Sequence, residues 1–178
     1  MTGFAVGQQI VYPSHGVGII EGIMERAIGA LRLDCYTVRL ADNSLVMVPV
    51  SNAVAIGLRV PLSNRECENL CDHLAEDFTA PAGDWKDRFK EFSEKMKTGD
   101  PFAIAEVLKQ LTFLGQTKPL SFREQRLLEK AQYLVVSELA AVFEQPEGNI
   151  TERVLQTLVT ACATHQSIAA QTLAAASH

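Results

Sequence analysis

The sequence predicts an α+β protein built in two parts, a small β-barrel over residues 1–58 followed by an all-α helical bundle over residues 59–178. Three observations carry this reading. Residues 4–58 alternate apolar and polar positions in short runs broken by glycine and turn residues, the period-two signature of strands. After Leu58 the apolar spacing changes to the 3.6-residue period of helices. Ser63 with Glu66, and Ser121 with Glu124, have the spacing of capping boxes, in which hydroxyl and carboxylate satisfy free amides at a helix start.

The strands are QQIVYP, VGIIEGIM, LRLDCYTVRL and SLVMVPV, separated by SHG, RAIGA and ADN. In LRLDCYTVRL neither alternating face is purely apolar, so both faces are expected to be partly used. Helices are expected at about 63–78, 85–97, 101–114, 121–144 and 150–175, with boundaries good to ~2 to 4 residues. Asp84 caps the second, Asp100 with Pro101 opens the third, and Gly99 suits the stop between them. Apolar stripes run through Phe102, Ala105, Val107, Leu108, Leu111 and Leu114, and through Leu127, Leu128, Ala131, Leu134, Val135 and Leu139. The last helix is apolar at Val154, Leu155, Leu158, Ala161, Cys162 and Leu173; it packs on the bundle or pairs with another chain.

Composition narrows the function. At 178 residues, 47% hydrophobic and 21% charged, the chain can bury a sizeable core. A formal charge of -5 argues against tight nucleic-acid binding by charge alone, so DNA contact must be local or assisted. The N-terminus lacks a basic start followed by an apolar core, and a cytoplasmic location with reduced cysteines is expected. From Val154 onward no Asp, Glu, Lys or Arg occurs, but the segment carries too many Gln, Thr and Ser residues to be a membrane span.

Few residues have the pattern of a catalytic or metal site. Cys67, Cys71 and His73 lack the further ligands of a closed zinc site, and the cysteines read better as small core residues. Adjacent Ser14 and His15 read as turn chemistry, and no phosphate-loop or hydrolase signature occurs, so neither an enzyme nor a cofactor, metal or small-molecule substrate is expected. Trp85, the single tryptophan, shares a helical stripe with Phe89, Phe92 and Met96, flanked by Lys86, Arg88, Lys90 and Lys97. Such a ring is commonly a core residue, yet a first-turn position can also present it outward.

Four ordered blocks, FAVGQQIVYPSHGVGIIEGIMER, LVMVPVSNAVAIGLR, DWKDRFKEFSEKMKTGD and LSFREQRLLEKAQYLVVSELA, resemble the CarD family of bacterial transcription regulators, including its CdnL members, over residues 4 to 143. The resemblance implies a Tudor-like N-terminal barrel that docks on a lobe of the RNA polymerase β subunit, with Arg26, Met47, Val48 and Pro49 facing the polymerase. Because Met47 and Val48 alternate, at least one of them should be core.

The resemblance further implies a helical domain that reaches promoter DNA without reading its sequence. Trp85 would wedge into the minor groove at the upstream edge of the melted bubble and stabilise the open complex, with Lys86, Arg88, Lys90, Arg126 and Lys130 on phosphates. Asp87, Gln125 and Gln132 depart from the bases common in relatives, each lost contact lowering the salt slope by about 0.9. The alternative is a protein-interaction module that binds polymerase and another factor without functional DNA contact. A Tudor-type reader of methylated residues would need an aromatic cage, for which the barrel offers only Phe4, Tyr12 and Tyr36.

Overall fold

The structure is a computed structural model that describes residues 3–177. The chain divides into two compact units, the first ending at Leu62 and the second beginning at Ser63. The division falls later than the expected 58/59 because Arg59 still belongs to the sheet: Val11 N donates to Arg59 O at 2.7 Å and Arg59 N to Val11 O at 3.2 Å.

The first unit is a curled antiparallel sheet of four strands in the order β1-β2-β3-β4: β1 Gln9–Tyr12, β2 Gly16–Ile28, β3 Leu31–Leu40 and β4 Leu45–Pro49. This is the half-barrel form of a Tudor-like domain. Its core gathers Ile10, Ile20, Tyr36, Val38, Leu40, Val48, Ala53 and Leu58. Tyr36 is sealed within that core, its hydroxyl accepting Phe4 N at 2.9 Å, so it is a structural ring and not the wall of an open cage. Gly18 is required by crowding, because a Cβ there would stand 2.9 Å from Arg39 O and from Val38 Cγ1.

Strand β2 runs further than the sequence pattern indicates. Its end pairs with the first half of β3 as far as Ile28 with Leu31, and Gly29 at φ 62° makes the two-residue turn, so the RAIGA segment is mostly strand. A register shift between Ile20 and Gly22 leaves Glu21 as a bulge, from which it pairs with Arg39 at 2.9 Å. In β3 the stretch Cys35–Val38 is buried continuously, which bears out the use of both faces.

The second unit holds α1 Asn64–Ala75, α2 Trp85–Thr98, α3 Pro101–Thr117, α4 Phe122–Phe143 and α5 Glu147–Ala176. Both capping boxes form, Asp84 and Asp100 cap α2 and α3, and Gly99 ends α2 at φ 70°. Helix α1 stops before the expected 78, with Phe78 in the following loop buried beside Phe113 and His165. The core runs through Leu70, Leu74, Phe92, Leu108, Leu111, Leu139, Ile150 and Leu158. Helix α5 buries Val154, Leu158, Ala161 and Cys162, whereas Leu155 and Leu173 are exposed, as is every described residue beyond His165.

Candidate functional site

Cross-strand register sorts the residues expected to face polymerase. Tyr36 pairs with Ile23 and Val48; Tyr36 and Val48 lie in the core, whereas Ile23, on the β2 side, is half-exposed. The neighbouring rows, Gly22–Thr37–Met47 and Met24–Cys35–Pro49, therefore lie on the other face of the sheet, together with Arg26. Val48 is only 1% exposed, which removes its side chain from the expected contact set; alternation sends it inward when Met47 points outward. Arg26 and Met47 come together, the guanidinium Nη1 lying on the Met47 thioether. The same face exposes Met24, a residue sequence reasoning passed over although it stands two positions from Arg26. Strand β4 is at the end of the strand order, so among the described residues no further strand pairs with its outer edge.

The second constellation is built around the start of α2. Asp84 Oδ1 accepts Lys86 N at 2.8 Å and Asp87 N at 3.2 Å, which places Trp85 as the first helical residue. From there the aromatic stripe grades inward: Trp85 is 56% exposed, Phe89 is half-buried and Phe92 is fully buried. The indole is anchored in its helix yet open to solvent. Lys86 Nζ lies 5.7 Å from its ring centroid.

Arg88 is corrected by the structure. Although expected as a phosphate contact, it is only 2% exposed. Arg88, Phe92 and Met96 form an i, i+4, i+8 row, and that row is the buried one. The guanidinium donates to Glu124 Oε1 through Nη2 at 2.7 Å and Nε at 3.0 Å, and through Nη1 to Ala82 O at 2.8 Å. Burial acts to raise the Glu124 pKa, but hydrogen bonds from Ser121 and Arg88 outweigh it and hold the carboxyl below its ordinary range. Arg88 thus fastens the loop before α2 to the start of α4, and with it the base of the indole.

Above this ion pair opens a cleft of about 690 Å³, lined by Trp85, Arg88, Phe89 and the segment Lys118–Glu124. Phe122, at the first position of α4, is 76% exposed and carries the Arg126 guanidinium 5.3 Å from its ring. Arg123 lies 5.7 Å from the ring of Phe89. Of the expected bases, Lys86 and Arg126 each stand over a ring lining the cleft, whereas Lys90 and Lys130 are absent from the lining. Phe122, Arg123 and Lys118 were missed, although Phe122 falls off the apolar stripe of its helix, a legible sign of a ring with no core partner.

A curled sheet with β4 at its edge, followed by a separate helical unit presenting open aromatic rings and cations, is the architecture of a two-module protein with surfaces suited to macromolecular partners. Residues 4–60 match the CarD-like/TRCF RID domain family, and residues 69–155 match the family described as CarD, C-terminal domain. The chain is also similar to the "Putative transcription factor YdeB" of Bacillus subtilis (strain 168), with 32% identity over 143 residues, covering 78% of this chain and 92% of the relative. The chain belongs to the CarD family of transcription factors. It is a transcription regulator that interacts with RNA polymerase. Among the described residues no helix is long and apolar enough to cross a membrane.

Proposed function

We propose that the sheet domain docks on the β subunit of RNA polymerase while Trp85 wedges at the upstream edge of the promoter bubble and stabilises the open complex. One observation carries this reading: the indole is largely solvent-exposed on a helix start that is fixed from beneath by the buried Arg88–Glu124 pair. An apolar ring entering a junction between paired and melted DNA meets a step whose stacking is already disturbed, which reduces the usual unstacking cost of a few kcal/mol. Because such a ring binds the melted form better than the closed form, it shifts the equilibrium between them; equal affinity would shift nothing.

Lys86, Lys90, Arg126 and Lys130 serve as positioning contacts to phosphates, with Arg88 acting through the scaffold. The acidic total is tolerated because docking on polymerase raises the local DNA concentration. Trp85→Ala should leave polymerase binding intact and shorten open-complex lifetime by about tenfold, the effect of roughly 1.4 kcal/mol of lost differential binding. An unchanged lifetime would instead favour a pure interaction module, the reading to which the exposed Asp87 beside the indole lends weight.

A further inference from the structure

We propose that the cleft between Trp85 and Phe122 is a nucleobase site that receives an unpaired base of the melted DNA strand. This rests on the promoter-bubble reading above and adds to it a second aromatic wall and a ligand. Three aromatic–cation pairs surround one opening: Trp85 with Lys86 at 5.7 Å, Phe89 with Arg123 at 5.7 Å and Phe122 with Arg126 at 5.3 Å. In each pair a positive charge stands over an apolar ring, and a nucleotide matches both groups, its base stacking on the ring while its phosphate draws the cation. The rings at the two walls, Trp85 and Phe122, are the most exposed, as a platform for an incoming base requires.

The charge of the lining fits the same ligand. Its one acid, Glu124, is turned inward and occupied by Arg88 and the Ser121 amide, whereas Lys118 and Arg123 are exposed. Asp84 is already committed to the Lys86 and Asp87 amides. No pattern of donors singles out one base, so stacking without sequence readout is the expected mode. The volume of about 690 Å³ is ample for a base with its sugar.

The site is not needed for the fold. Phe122 stands at the first position of its helix, outside the Ser121–Glu124 capping box, and is 76% exposed, so Phe122→Ala should leave thermal stability unchanged. Full-length protein is titrated, at low ionic strength, into a DNA duplex with a single-stranded overhang carrying 2-aminopurine at the first unpaired position, and into the same duplex fully paired. The wild type should favour the overhang and quench its 2-aminopurine emission on stacking.

Phe122→Ala should lose the quenching and bind the overhang about tenfold more weakly, the scale of one base–aromatic stack, with duplex affinity unchanged. Equal affinity of the wild type for both DNAs, or undiminished quenching by Phe122→Ala, overturns the base site. A Phe122→Ala defect confined to co-purification with polymerase also overturns it and makes the cleft a protein contact. These outcomes are separable from the wedge itself: Trp85→Ala shortening the open complex while Phe122→Ala leaves overhang binding untouched would sink only the base site.

Discussion

Arg88 shows how a base beside an exposed ring can belong to the scaffold. Placed three positions after the indole, it reads in sequence as another base for phosphates, yet its side chain is spent on Glu124 and the loop carbonyl of Ala82. Removing one partner of such a pair leaves an uncompensated buried charge, so Glu124→Gln should destabilise the helical unit by ~3 to 5 kcal/mol in denaturant unfolding. The pH dependence follows from the lowered Glu124 pKa: its stabilisation is present above the ordinary carboxylate range and is lost as pH falls through the lowered folded-state value. A plot of Tm against pH should therefore show an acid limb in the wild type that is shallower in Glu124→Gln. Equal limbs would remove Glu124 from the acid response.

At the scale of elements, alternation and capping decide what a strand or helix shows to a partner. Register divides β4 between Val48 in the core and Met47 with Pro49 on the face shared by Met24 and Arg26. Arg26→Glu should abolish co-purification with the polymerase β lobe at unchanged Tm, because the side chain is exposed. Val48→Ala should do the reverse, lowering stability by about 2 kcal/mol through lost burial while Met47 and Arg26 keep their place. Retained binding by Arg26→Glu would take that residue out of the interface. Helix starts were legible in the sequence because caps are local chemistry: Ser63, Asp84, Asp100 and Ser121 all cap as read. The burial of Arg88 was not, because it depends on Glu124, which lies far along the chain and had already been assigned to a capping box. The cleft was hidden for the same reason, since its walls come from α2 and from the Lys118–Glu124 segment, brought together only by packing.

On the scale of the whole molecule, the chain is built as two compact units, with the boundary between Leu62 and Ser63 marked by the last strand contact on one side and a capping serine on the other. The formal charge of -5 falls on the helical unit, where acids outnumber bases, and Arg88 is held in an internal ion pair. Local bases alone would then give weak, salt-sensitive binding, whereas a tether of the kind proposed for the sheet domain would hold the second contact at an effective concentration up to the millimolar range. A chain cut at this boundary tests the division. The helical fragment from Ser63 onward, shown by circular dichroism to be folded, should fail to prolong open complexes at micromolar concentrations where the intact chain succeeds. It should recover part of the effect when added at roughly a hundredfold higher concentration and low salt, because the ring and its cleft are intact and only the tether is missing. The sheet fragment ending at Leu62 should compete with the intact chain for polymerase and thereby shorten open-complex lifetime. Full activity of the helical fragment at micromolar concentration would mean that the indole finds melted DNA unaided, and that docking contributes something other than local concentration.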